Sequence, residues 1–182
     1  MTKSKTKNIA LYAPQWVSRK DLPQNDFDEI LPGLFMGGTK DGDTVNFAGE
    51  LPHGMGNHTF DAVATLYAWA KPMGWGVEEM RLGIYDSEMD PAFINKIMRL
   101  ARWTHERWSQ GDRVLVRCQA GMNRSGLVMA LALMIEGHSA DEAITMIRNA
   151  RGKSCLFNNH FVDWLINEAD EYVRPLRSPS AA

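Results

Sequence analysis

The hydrophobic pattern changes period several times along the chain, and each change marks an element. Arg113-Val114-Leu115-Val116-Arg117 is a short apolar run bounded by charge, the pattern of a strand buried on both faces. From Gly126 the chain stays apolar until Glu136, which predicts a helix buried all round. Phe93, Ile97, Leu100, Ala101, Thr104 and Trp108 recur at helical spacing after Pro91, with Asp90 placed to cap the first turn. Ser139-Ala140-Asp141-Glu142 is a capping box opening a helix over 140–150, which Arg151-Gly152 ends. Phe161, Trp164, Leu165 and Ile166 predict a last helix over 159–173. Ile9-Ala10-Leu11-Tyr12 suits an edge strand. Between 39 and 59 the turn signals Asp41-Gly42-Asp43, Pro52-His53-Gly54 and Gly56-Asn57 predict a long loop, a feature that in a compact domain tends to border a functional cleft.

Strands alternating with helices predict one α/β domain over 26–174. A central, mostly parallel twisted sheet should be covered by helices on both faces. A partly ordered arm over 1–25 and a disordered tail over 175–182 flank it. Length and composition agree: 182 residues, 45% hydrophobic, suffice for one core. A net charge of −2 argues against a dedicated nucleic-acid surface, and Lys3, Lys5 and Lys7 read as a solvated start. With only Cys118 and Cys155 there is no disulfide framework, which suits a reducing cytoplasm. No apolar run reaches membrane-spanning length, so no membrane association is expected. His53 and His58 lack cysteine or acidic partners at metal spacing, so neither a metal nor a cofactor is expected. Trp69 and Trp75 are candidates for a cleft rim, and Arg148 and Arg151 read as a solvated helix face.

The chemistry concentrates where the buried strand meets the buried helix. Cys118 is followed by Gln119-Ala120-Gly121-Met122-Asn123 and then by Arg124 and Ser125. The first-turn amides of a helix have no intrahelical acceptor and carry the positive end of the helix dipole, so an oxyanion fits there. A glycine midway permits a turn closed to other residues, letting successive amides converge on an anion. Arg124 adds a planar two-pronged donor for phosphate oxygens. The same positive field favours Cys118 as thiolate, with Ser125 positioned to donate to it.

This segment, from Val116 to Gly126, resembles the signature loop of cysteine-dependent protein tyrosine phosphatases, specifically the dual-specificity group. Glu29 to Gly37 resembles that group's opening strand, Phe60 to Leu66 the strand after it, and Asn158 to Leu165 its closing helix. The resemblance implies a general acid on a loop ahead of the nucleophile, and Ile84-Tyr85-Asp86-Ser87 offers Asp86. It also implies that Asn158 supports the loop. Two departures stand out. Arg117 occupies the position where most members carry histidine, and it either stabilises the anion or packs elsewhere. The 39–59 segment is loop-like where relatives run a short helix. Cys155 is either a bystander or a partner for Cys118 under oxidation.

The expected activity is hydrolysis of phosphotyrosine or phosphoserine/threonine in a phosphorylated protein, through a phosphocysteine intermediate. Three alternatives remain open at this level. Asn123-Arg124-Ser125-Gly126 echoes the loop ending of RNA 5′-triphosphatases, making an RNA 5′ end the second choice of partner. A catalytically weak phosphate-binding module is another reading, and sulfur transfer of the rhodanese kind a third.

Overall fold

A computed structural model describes residues 22–39, 47–48 and 57–177, with the backbone alone at 47–48 and 57–58. The expected strand over 9–12 and most of the 39–59 loop, His53 included, lie outside the described residues.

The strands are β1 (Phe27–Leu31), β2 (Leu34–Gly37), β3 (Phe47–Ala48), β4 (Asn57–His58), β5 (Ala62–Thr65), β6 (Glu78–Arg81) and β7 (Val114–Arg117). β3 and β4 form a separate antiparallel pair. The main sheet runs β1-β2-β7-β5-β6, with β2, β7, β5 and β6 parallel and β1 antiparallel at the edge. β7 is therefore central and buried along its whole length, as its apolar run predicts.

The segment read as one opening strand is a hairpin. Pro32 and Gly33 interrupt it, because proline withholds a ladder donor and Gly33 takes the left-handed conformation (φ 81°). Glu29 Oε1 accepts from Gly33 N at 2.8 Å, and Trp108 Nε1 donates to Pro32 O at 2.9 Å.

The helices are α1 (Pro91–Ser109), α2 (Arg124–Glu136), α3 (Ala140–Arg151), α4 (Asn159–Asn167) and α5 (Ala169–Val173). Asp90 caps α1 by accepting from Ala92 N at 2.9 Å. The α1 face is Ile94, Ile97, Met98, Leu100, Ala101 and Thr104, whereas Phe93 and Trp108 are half-buried at its margin. The capping box closes as expected: Ser139 Oγ accepts from Glu142 N, and Glu142 Oε2 accepts from Ser139 N at 2.7 Å.

α2 packs between α1 and α3 and over β7, and every residue from Ser125 to Ile135 is buried. Helices on both sheet faces were expected. Among the described residues all five line one face, sharing a single core with Leu34, Met36, Ala62, Ala64, Val114 and Val116. The second face is closed by Phe35, Phe60, Val63 and Leu115, with Phe27, Met73 and Val77 against them. Phe27, Phe35 and Phe60 meet edge to face at 5.0–6.0 Å.

The single helix expected over 159–173 breaks at Glu168. Asn167 Nδ2 donates to Asp163 O at 2.8 Å, competing for a carbonyl of the last α4 turn. The new direction buries Ala169 and Val173 in the core. The tail expected from Pro175 is also corrected: Arg174–Leu176 forms a 3₁₀ turn, and Arg177 Nε donates at 2.9 Å to Met134 O, a carbonyl of the last α2 turn that also accepts from Gly137 N at 3.2 Å. Residues 178–182 lie outside the described residues. No helix among the described residues is long and apolar enough to cross a membrane.

Candidate active site

Cys118 follows directly on β7, at the carboxyl end of the central strand, and is 2% exposed. Its Sγ accepts from Gly121 N at 3.2 Å and lies 3.3 Å from Ser125 Oγ. Gly121 takes the left-handed conformation (φ 65°), turning its amide back toward the sulfur. No side chain fits there: a Cβ would lie 2.3 Å from Gly37 C and 2.5 Å from Arg151 Nη2. The expected role of this glycine is therefore imposed twice, by its dihedral and by its neighbours.

α2 begins at Arg124 without a side-chain cap. Asn123 occupies the capping position, where asparagine normally accepts from first-turn amides, yet its side chain makes no such bond. The first-turn amides thus remain open to an anion, in the positive field of the helix terminus. Arg124 is the first residue of α2. Its Nη1 contacts Ile84 O at 3.4 Å, its guanidinium lies 5.7 Å from the Tyr67 ring centre, and its Nε is buried without a hydrogen-bond partner among the described residues. Gln119 and Ala120 are exposed, while Met122 turns into the core.

Asp86 meets this loop from the other side. Its Oδ2 accepts from Asn123 Nδ2 and its Oδ1 from Asn158 Nδ2, each at 2.9 Å. Asn158 also donates Nδ2 to Ser87 O and accepts from His160 N, capping α4. The sequence-predicted residues Cys118, Arg124, Ser125, Asp86, Asn123 and Asn158 are thus brought together.

Arg117 is the exception. On β7 it alternates with Val116, so its side chain leaves on the sheet face away from α2. It is 1% exposed and donates Nε to Thr65 Oγ1 (2.9 Å) and Nη2 to Lys71 O (2.7 Å) and Glu79 Oε1 (3.2 Å). Glu79 is the hub of this cluster. Its Oε1 also accepts from Thr65 Oγ1 (2.6 Å) and Arg81 Nη1 (2.8 Å), and its Oε2 from Met73 N (3.0 Å). Arg81 Nη2 adds a bond to Ala70 O at 2.7 Å. The packing alternative for Arg117 is the one observed, and it pins the 67–73 backbone beside Arg124. Trp69 and Trp75 project from this connection into solvent.

Burial alone would push the Glu79 carboxyl up. The bonds from Thr65 and Met73 and the charges of Arg81 and Arg117 outweigh it and hold the group below its ordinary 4.5.

Arg148 and Arg151 do not form a solvated face. Arg151 is 5% exposed and donates Nε to Gly121 O (2.6 Å) and Nη1 to Asp28 Oδ2 (2.7 Å), bracing the loop from behind. Arg148 donates to Cys155 O and Leu156 O, both at 2.9 Å. Leu156, itself left-handed (φ 56°), donates its N–H to Met122 O. Cys155 is a fully buried free thiol that burial pushes up to about 12, opposed by Arg151. Sequence reasoning missed Glu79, Thr65, Tyr67 and the bracing by Arg151, whose partners lie tens of residues away. Among the described residues no cluster of histidine, cysteine and acidic side chains suits a metal ion.

The catalytic-domain model of the dual specificity phosphatases matches residues 57–171, and the chain belongs to that family. Dual specificity protein phosphatase 26 of Homo sapiens is 31% identical over 134 residues, covering 70% of this chain and 61% of that protein. Dual specificity protein phosphatase 22 of Xenopus tropicalis is 28% identical over 128 residues, covering 70% of this chain and 57% of that protein. The chain thus spans about three fifths of the length of these relatives. The crystal structure of human DUSP28 superposes with a TM-score of 0.62 at 19% identity, covering 87% of this chain and 99% of that one, a likeness of fold.

Two outcomes test this geometry. Gly121→Ala is expected to lower affinity for inorganic phosphate at least about tenfold and stability by more than about 1 kcal/mol, because it forces a Cβ into a left-handed turn against backbone. Calorimetric titration and urea denaturation measure both, and unchanged phosphate affinity would contradict the packing. Glu79→Gln leaves the Arg117 charge buried without its counter-ion and is expected to cost about 3 kcal/mol at neutral pH. A depressed carboxyl contributes stability above its ordinary value that is lost as pH falls through the folded one. The wild-type urea midpoint should therefore drop on acidification below 4.5 more steeply than that of Glu79→Gln. Parallel curves would contradict the hub.

Proposed function

We propose that the chain is a cysteine-dependent phosphatase that hydrolyses phosphotyrosine and/or phosphoserine/threonine in proteins. The observation that carries this is Cys118 Sγ held by Gly121 N and Ser125 Oγ at the mouth of an uncapped helix, beside an Arg124 whose Nε has no hydrogen-bond partner among the described residues. Membership of the dual specificity phosphatase family supports the reading.

In the first step the Cys118 thiolate attacks phosphorus in line with the scissile bond. The loop amides and Arg124 hold the equatorial oxygens. The phosphorus–oxygen bond to the substrate breaks, its electron pair stays on the leaving oxygen, and Asp86 supplies the proton. A phosphocysteine results. In the second step water attacks phosphorus, the Asp86 carboxylate takes its proton, and the sulfur–phosphorus bond breaks. Ser125 Oγ then donates to the departing thiolate at the contact it makes with Sγ. Arg117 has no part in holding phosphate, being spent on Glu79, Thr65 and the Lys71 carbonyl. A thiolate nucleophile beside a second unpaired cysteine fits a reducing compartment such as the cytoplasm.

Phosphate release in the presence of a chelator tests the proposal, with phosphotyrosine and phosphothreonine peptides and a 5′-triphosphorylated RNA as substrates. Wild type is expected to act on the peptides and Cys118→Ser to lose all turnover while still binding them. Turnover retained by Cys118→Ser would remove the nucleophile assignment. Preference for the RNA would replace the protein substrate.

A further inference from the structure

An asparagine at a helix N-cap that leaves its helix uncapped has been used for something else. Asn123 is 2% exposed, so its side-chain atoms depend on protein partners, and each has one. Oδ1 accepts from Asn158 N at 3.1 Å and Nδ2 donates to Asp86 Oδ2 at 2.9 Å. The orientation is forced, because a backbone N–H can only donate and so must face the amide oxygen. The same logic fixes Asn158: its Oδ1 accepts from His160 N, leaving Nδ2 to face Asp86 Oδ1 at 2.9 Å.

We propose that Asn123, locked by Asn158, is a positioning residue for proton transfer by Asp86. The inference rests on the assignment of Asp86 as general acid in the proposed reaction. Asp86 lies on a loop with no helix or strand of its own, between β6 and α1. The two amides tie both of its oxygens to the segments that form the nucleophile loop and the α4 cap. A carboxyl group offers about four lone-pair positions, and the amide donors take one on each oxygen. The proton must then sit on a remaining position, pointing away from both asparagines. Asn123 immediately precedes Arg124, so the residue that orients the acid and the residue that holds the phosphate move as one backbone unit. The first-turn amides of α2 stay open for the same reason, since the natural capping side chain is engaged elsewhere. One side chain thereby serves both ends of the reaction: it frees donors for the phosphoryl oxygens and aims the proton at the leaving oxygen.

The test is a double-mutant cycle read against leaving-group basicity. kcat/KM and kcat are measured for wild type, Asn123→Ala, Asp86→Ala and the double variant, on 2,4-dinitrophenyl, 4-nitrophenyl and phenyl phosphate. A good leaving group departs without a proton, so loss of acid positioning shows only with the basic phenolate. Asn123→Ala is expected to slow phenyl phosphate about tenfold more than 2,4-dinitrophenyl phosphate in kcat/KM, which reports the first phosphoryl transfer, and to cause no further loss in the Asp86→Ala background. Equal loss on all three substrates, or a double variant losing the product of the two single effects, would overturn the proposal. If Asn123→Ala fails to fold, Asn123→Asp keeps volume and the acceptor for Asn158 N while replacing the donor with an acceptor, and the same comparison is read. Asp86→Ala without any leaving-group dependence would instead remove Asp86 as the acid, a failure distinguishable from that of Asn123 alone.

Discussion

The left-handed turn at Gly121 is the constraint on which the rest of the site depends. Its N–H faces Cys118 Sγ, its carbonyl faces Arg151, and the space a side chain would need is filled by the end of β2. Only a residue without a Cβ can reverse the chain there, and only that reversal returns successive amides toward the sulfur. The buried helix α2 then supplies the other half of the cradle. Its apolar sequence holds it between α1 and α3, so its amino terminus has a fixed place against the sheet. Rigidity of the cradle is thus a consequence of hydrophobic burial one layer away.

Two buried ion pairs frame the loop on opposite sides. Arg151 with Asp28 braces it from β1, and Arg117 with Glu79 ties the strand just before Cys118 to β6 and the 67–73 backbone. Buried pairs contribute little net stability against an apolar alternative, because desolvation offsets attraction. Their value here is directional: each guanidinium satisfies backbone carbonyls that helix or sheet cannot, and each fixes a segment bordering the cradle. Arg117 in place of histidine is therefore a change of architecture. The position before Cys118 serves the far face of the sheet, and Arg124, Ser125 and the first-turn amides of α2 border the sulfur without it.

Much of this was legible because its signals are local. The apolar run into β7, the Gly121 turn, the Asp90 cap and the Ser139 capping box each involve neighbours within a few residues, and all stand in the structure. The hairpin at Pro32-Gly33 was also a local signal, overridden by reading the segment as one strand. What was not legible depends on partners far along the chain. Arg148 and Arg151 sit at helical spacing that suits a solvated face, and only the folded chain brings Gly121 and Asp28 to Arg151. Arg117 could not be assigned without knowing that Thr65 and Glu79 lie on its side of the sheet. Asn123 was read as part of the phosphate loop, and its turn toward Asp86 follows from a loop whose path no periodicity predicts.

The proposed function requires Cys118 to take a phosphoryl group within the cradle. Rapid quench into alkaline denaturant, which preserves a sulfur–phosphorus bond, during turnover of an aryl phosphate, followed by mass analysis of the peptide spanning Cys118, tests it most directly. A transient gain of one phosphoryl group on Cys118, abolished in Cys118→Ser, is the expected result. Steady turnover with that peptide unmodified at every quench time, or phosphoryl transfer to any other side chain, would contradict it.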